Sequence, residues 1–290
     1  MAPVVFFMLD GVRPEALSLA ACPNLQALIK RGSATLNATS VMPCLTLPCH
    51  TSIFYSVPPT RHGITSNVWT PMARPMRGLI EVARQADRKT AFFYNWEPLR
   101  DLTPPGALHF ACYRDNSYTA DGDQVMADEA ARFIAADRPD FAFVYFGTID
   151  IAGHVYGWLS NEYLRQLERD DAALGTVLSV LGAQHSIVLH SDHGGHDRNH
   201  GQDVPEDMTI PWLAAGPTIR RDYTLQTAVT LLDTAPTIAR LLDLQPDAQW
   251  EGHCVEEIFD RTNHGTHFDV GAADRQTTVY ARTVDDEPYR

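Results

Sequence analysis

An α/β fold, with a mostly parallel central sheet and helices on both faces, is predicted by three observations. Short, nearly continuous apolar runs recur at Val4–Leu9, Phe141–Phe146 and Ser186–Leu189, as expected of strands buried on both faces. Segments with apolar residues at helical spacing alternate with them, which is how parallel neighbours are joined. Each of the three runs is followed within a few residues by an acid, Asp10, Asp150 or Asp192. Open α/β sheets place their sites at the carboxyl ends of strands.

The elements follow in order. Val4–Leu9 reads as the first buried strand. Its apolar stretch is short, without a basic leader or a small-residue cleavage site, so a signal peptide is not expected there. Pro23 to Lys30 is a helix with proline in its first turn. Thr46 to Phe54 is another, with Pro48 again near its start. Leu79 to Ala86 is a helix and Thr90 to Tyr94 a strand. Pro98 to Ser117 is polar and turn-rich, a candidate lid. Asp121 to Ala136 sets Val125, Ala130, Phe133 and Ile134 at helical spacing. Glu162 to Leu181 does the same with Leu164, Leu167, Leu174 and Leu178. Ile210 to Ala214 is a strand. Thr234 to Leu242 is a helix that Asp233 should cap. One catalytic domain over 1–262 is expected, followed by a tail or edge segment over 263–290 where periodicity is lost.

The chain has 290 residues, 44% of them hydrophobic, and a formal net charge of −13. That charge disfavours duplex nucleic acid or an anionic membrane as a surface partner. It leaves room for a small phosphorylated substrate, because bound divalent ions reverse the local sign. No run is long and apolar enough to span a bilayer. Cys22, Cys44, Cys49, Cys112 and Cys254 show no motif spacing, which fits a reduced, cytoplasmic setting. Cys44 and Cys49 read as small, half-buried fillers.

Three short runs carry the chemistry. Asp150 and His154 stand four apart in Ile-Asp-Ile-Ala-Gly-His, reachable from one helical turn or a tight loop. Asp192 and His193 are adjacent, so a turn must aim them, and Gly194-Gly195 offers the freedom. His200 follows in Asn-His-Gly. With Asp10 these residues exceed what one zinc takes, so two metals sharing the set is the simpler solution. Two ions about 3.5–4 Å apart clamp an in-line displacement at phosphorus. Thr46, expected at a helix N-terminus where backbone N–H groups favour an anion, is the candidate nucleophile.

In order along the chain stand Leu9-Asp10-Gly11, Thr46-Leu-Pro-Cys-His50, His62-Gly-Ile64, Asp150…Gly153-His154, Ser191-Asp-His-Gly194, His200-Gly201, Ala215-Gly-Pro217 and Asp233-Thr-Ala-Pro236. This ordered set resembles the alkaline phosphatase superfamily, most closely its nucleotide pyrophosphatase/phosphodiesterase branch. The resemblance implies an alkaline-phosphatase-like sheet with a small cap or none. It implies that Asp150, His154 and His200 hold one zinc, and that Asp10, Asp192 and His193 hold the other with Thr46 on it. Manganese or iron could take the same donors. Asn67 falls at the branch's phosphate-binding asparagine, and Thr46 would become a transient phosphothreonine. One departure is Cys49, where the branch usually has asparagine.

The implied activity is hydrolysis of phosphodiester or pyrophosphate bonds. The alternatives are a phosphomonoesterase or a phosphonate hydrolase on the same scaffold, both of which call for more cations at the phosphate. Lys30 and Lys89 are the only lysines, and Arg13 and Arg61 the arginines nearest the motifs. A formylglycine sulfatase is excluded by the lack of Cys-x-Pro-x-Arg, and the short span between Asn67 and Asp150 leaves little room for a phosphomutase cap. A metal-binding module without turnover would lack a ligand or nucleophile, and none is missing. His50 and His62 read as structural, and His253, His264 and His267 as ordinary surface or tail residues. His196 is open between support of the site and solvent. Trp69, Tyr94, Trp96, Tyr156 and Trp158 read as packing beside the site or as the substrate entrance.

Overall fold

The first strand shows why a sheet forms with two covered faces. In β1 (Val4–Leu9) every side chain is buried, and alternate residues go to opposite cores. Val5, Phe7 and Leu9 join one cluster, whereas Val4, Phe6 and Met8 join the other. The computed structural model describes residues 2–260; the expected tail over 263–290 lies outside them.

The remaining strands are β2 (Ser33–Thr39), β3 (Thr90–Tyr94), β4 (Phe110–Tyr113), β5 (Phe141–Phe146), β6 (Ser186–His190), β7 (Thr209–Ala215) and β8 (Tyr223–Thr224). The helices are α1 (Ala16–Leu19), α2 (Pro23–Arg31), α3 (Thr46–Tyr55), α4 (Pro59–His62), α5 (Leu79–Gln85), α6 (Gly122–Asp137), α7 (Thr148–Tyr156), α8 (Asn161–Leu178), α9 (Pro205–Met208) and α10 (Thr234–Leu241). The sheet order is β4-β3-β5-β1-β6-β7-β2-β8. Only β7 runs against its neighbours, pairing antiparallel with both β6 and β2. The mostly parallel sheet is therefore as expected, and so are the helices on both faces. Helices α2, α6 and α8 pack in the cluster of Val5 and Phe7, while α3, α5 and α10 pack in that of Val4 and Phe6.

Several expectations need correction. The segment 98–117 is not a lid throughout, because Phe110–Tyr113 pairs in parallel with β3 as the sheet's edge strand. Val125 is not a core residue; it is 38% exposed. Asp233 makes no side-chain cap to α10. Its carboxylate instead accepts the backbone N–H of Thr230 at 2.7 Å and of His253 at 2.8 Å. Cys44 and Cys49 are fully rather than half buried. All five cysteines are unpaired. No helix among the described residues is long and apolar enough to cross a membrane.

Two devices fix elements that matter for the site. Phe54 of α3 sits among Phe6, Phe92 and Phe143, with ring centroids 5.1 to 6.1 Å away, and aromatic contacts of this kind lock the helix to the sheet. Asp171 of α8, buried, supplies the missing cap of α2. It accepts the N–H of Leu25 at 2.8 Å and of Asn24 at 3.1 Å, where Cys22 offers no cap of its own. Charged acceptors of helix N–H groups are worth about 1.5–3 kcal/mol each. Asp171→Ala is expected to cost about 3 kcal/mol, read as a lower urea midpoint with an unchanged slope; a midpoint equal to the wild type would contradict this.

Candidate metal centre and nucleophile

The strand ends bring the acids together. Asp10 follows β1, Asp192 and His193 follow β6, and Asp150 lies in the first turn of α7, just after β5. Because β1 is flanked by β5 and β6, all three loops open on one rim. Gly11 permits the approach. Its φ is +69°, and a Cβ there would come 3.0 Å from Asp150 Oδ1, so only glycine fits.

Two groups result. Ligand atoms of Asp150, His154 and His200 lie within 4.8 Å of one another, and so do those of Asp10, Asp192 and His193. In the first, the two Nε2 atoms stand 3.4 Å (His154) and 3.7 Å (His200) from Asp150 oxygens. In the second, His193 Nε2 is 3.3 Å from Asp10 Oδ1 and 3.4 Å from Asp192 Oδ2. The rings of His193 and His200 stack at 3.7 Å and join the groups.

Imidazole orientation is set from behind. Nδ1 of His154 bonds to Arg198 O at 3.0 Å, that of His193 to Gly194 O at 2.8 Å, and that of His200 to Cys44 O at 2.9 Å. A carbonyl only accepts, so each Nδ1 carries the proton and each Nε2 presents a lone pair to the centre. Burial pushes His193 down to about 4 and His200 down to about 3, helped for His200 by His193. Both rings are therefore neutral near pH 7, the form that binds metal.

The carboxylates show the opposite strain. Burial, then repulsion from Asp192 and Asp150, holds Asp10 well above the usual carboxylate range; burial and Asp192 do the same to Asp150. Asp10 Oδ1, Asp150 Oδ1 and Asp192 Oδ2 are buried with no hydrogen-bond donor. Unpaired buried carboxylate oxygens facing imidazole lone pairs are what a divalent cation satisfies. The residues present fit such an ion in each group.

Thr46, the first residue of α3, is buried with its Oγ1 3.5 Å from His193 Nε2. Asn67 lines the same cavity of about 180 Å³. Its Oδ1 accepts the Leu47 N–H at 3.0 Å, which leaves Nδ2 as its free donor. The expected row of open helix N–H groups is thus shortened at Leu47. Every residue singled out as ligand or nucleophile is placed at or beside this cavity.

Other assignments sort themselves. Gly194 and Gly195 are needed for close approach, not for a left-handed turn: a Cβ at Gly194 would meet Glu206 O at 2.1 Å, and one at Gly195 the Trp158 ring at 2.2 Å. His62 is structural, bonded to Ser52 and to the Ile64 N–H. His50 bonds to Thr46 O at 2.8 Å, beneath the candidate nucleophile. His196 is held by Asp207 at 2.7 Å. Trp96 lines the cavity, whereas Trp69 and Tyr94 line a different one. Trp158 is packing: it meets His154 edge-on and donates to Gly11 O at 2.8 Å. Cys49 Sγ lies 3.4 Å from Ser40 Oγ, which donates to Asp192 O at 2.5 Å. His253 is exposed; His264 and His267 lie outside the described residues.

Tyr145 was not foreseen. It looks like one more apolar residue of β5, yet its hydroxyl donates to Asp10 Oδ2 in a short hydrogen bond. That bond occupies one oxygen of Asp10 and leaves Oδ1 for the centre. Ser117, the last residue of the stretch expected to be a lid, and Tyr118 just after it also line the cavity.

Fold and centre together define an α/β protein with paired acid–imidazole clusters beside a buried threonine. The profile of the type I phosphodiesterase/nucleotide pyrophosphatase family matches residues 4–101 and 79–209, and the chain belongs to that family. Human ectonucleotide pyrophosphatase/phosphodiesterase family member 1 is 27% identical over 220 residues, 66% of this chain and 23% of that protein. The chain thus spans less than a quarter of that relative's length. Among solved structures, inactive murine ectonucleotide pyrophosphatase/phosphodiesterase 5 in complex with AMP superposes with a TM-score of 0.74 at 16% identity, over 90% of this chain and 100% of that one. A phosphonate monoester hydrolase from Silicibacter pomeroyi gives 0.69 at 15% identity, over 89% and 76%. These structures show an alkaline-phosphatase-like fold.

Groups that orient metal-binding side chains are commonly worth 10–100-fold in affinity. Tyr145→Phe is therefore expected to weaken zinc binding at the Asp10 group about tenfold or more, measured by titration against a competing chelator. Unchanged affinity would contradict the role of its hydroxyl.

Proposed function

We propose that this chain is a metal-dependent phosphoric ester hydrolase that cleaves phosphodiester or pyrophosphate bonds of small phosphorylated substrates. The observation that carries the proposal is the threonine hydroxyl on the wall of a cavity shared with both acid–imidazole groups. Family membership supports it, as does the relative named a nucleotide pyrophosphatase/phosphodiesterase.

Asp150, His154 and His200 would hold one divalent ion, and Asp10, Asp192 and His193, with Thr46, the other. The mixed imidazole and carboxylate donors suit zinc, with manganese or iron as substitutes. Ions bound there would neutralise the three acids, lower the proton affinity of the Thr46 hydroxyl and stabilise charge on the phosphoryl oxygens.

The chain's own residues do the rest. Asn67 Nδ2 is placed to donate to a phosphoryl oxygen, since its Oδ1 is already engaged. Thr46 Oγ1 forms the bond to phosphorus as the leaving group departs, taking up a proton. Water then cleaves the phosphothreonine and regenerates the hydroxyl. Two displacements give net retention at phosphorus. Trp96 and Tyr118 supply aromatic surface to the organic part of the substrate.

A diester or pyrophosphate is favoured over a monoester by charge. No lysine or arginine is among the described residues lining the cavity. Arg13 is paired with Glu15 at 2.6 Å and Arg61 with Glu251 at 2.5 Å. A dianionic monoester or phosphonate would lack the extra cations it calls for.

With zinc supplied, a bis-arylphosphate is expected to turn over faster than an aryl monophosphate. Dominant monoester activity would overturn the diester preference, and no turnover of either would overturn the hydrolase. Thr46→Ala should lose about a thousandfold or more in turnover while keeping its metal content. Retained turnover would remove Thr46 as nucleophile.

A further inference from the structure

A second cluster of acids lies behind the centre. Asp123 of α6 and Asp170 of α8 are 1% and 0% exposed, and each carboxyl group bears on the proton affinity of the other. The donors around them are unequal. Asp123 Oδ1 accepts from Asn95 Nδ2 at 2.8 Å and from the Gly147 N–H at 3.1 Å; Oδ2 accepts the Thr148 N–H at 3.0 Å. Asp170 Oδ1 accepts from Gln166 at 2.9 Å, while its Oδ2 has no N–H or O–H donor.

Two buried carboxylates repel when both are ionised. The member surrounded by N–H donors is the one stabilised as an anion. That is Asp123, whereas Asp170 Oδ2 has no donor to stabilise a charge. Burial raises the proton affinity of both, more strongly in Asp170, where the charge of Asp123 adds to it.

What Asp123 grips is the start of α7. Gly147, the residue before that helix, has no capping side chain. The helix reads Thr-Ile-Asp-Ile-Ala-Gly-His-Val-Tyr, and its β-branched residues and glycine are poor helix formers. An anion at its first N–H groups satisfies orphan donors and complements the helix dipole. Two and six residues beyond Thr148 stand Asp150 and His154.

We propose that Asp123 is a positioning residue of the metal centre: by accepting the Gly147 and Thr148 N–H groups it fixes the first turn of α7 and thereby the placement of Asp150 and His154. This deepens the function proposed above and rests on it.

Two substitutions separate the partners. Asp170→Asn leaves the N–H groups that Asp123 accepts in place, so it should bind zinc like the wild type. Asp123→Asn turns an acceptor into a donor facing N–H groups. It should weaken one of the two zinc sites about tenfold or more and leave the other unchanged. In the metal-free chain it should also speed hydrogen exchange at the Gly147 and Thr148 amides about tenfold or more. In the wild-type chain the Gly147 and Thr148 amides should exchange about tenfold or more slower than unbonded exposed amides, a readout that stands even if Asp123→Asn fails to fold. Equal effects of the two substitutions, unchanged exchange in Asp123→Asn, or unprotected Gly147 and Thr148 amides in the wild type would overturn the proposal. Failure of the wild-type chain to take up zinc would instead sink the metal reading, while the exchange data would still decide whether Asp123 holds α7.

Discussion

Crowded negative charge governs this structure. Asp10, Asp150 and Asp192 meet where water is excluded, and each keeps a buried oxygen without a donor. An uncompensated buried charge costs several kcal/mol, and His193 and His200 beside them are held neutral by burial. Positive charge must come from outside the polypeptide, or protons must be taken up. The imidazole lone pairs aimed at the same points are suited to cations.

The remaining architecture keeps those groups in place. Parallel strands β5, β1 and β6 set three loops side by side. Phe54 anchors α3 on the sheet, so Thr46 is held at the rim rather than on a mobile loop. Backbone carbonyls fix each ring's tautomer, Tyr145 selects one oxygen of Asp10, and Asp123 holds the helix that carries Asp150 and His154. Rigid support of this kind separates a metal site from a loose acidic patch.

Much of this was legible in the sequence, for a physical reason. Strands β1, β3 and β5 are uniformly buried, so their apolar runs declare them. The acids after β1, β5 and β6, and Thr46 at a helix start, followed from where such folds put their loops. What was missed lacks a local signature. β2 reads Ser-Ala-Thr-Leu-Asn-Ala-Thr and is partly exposed, and β4 is a short edge strand whose alternate residues face solvent. α7 has little helical propensity and depends on a carboxylate distant in the chain. Tyr145 is indistinguishable from its apolar neighbours until the fold brings its hydroxyl to Asp10. Asp233 looked like a helix cap because the sequence shows adjacency, whereas its partners are set by the chain's return at His253.

The central claim is that cations, not protons, balance the three acids. The most direct measurement is anomalous X-ray scattering at the zinc edge from crystals grown with zinc. Two peaks flanking Thr46, one bounded by Asp150, His154 and His200 and the other by Asp10, Asp192 and His193, are the predicted result. A centre without anomalous density, its carboxylates closed on one another, would contradict the account.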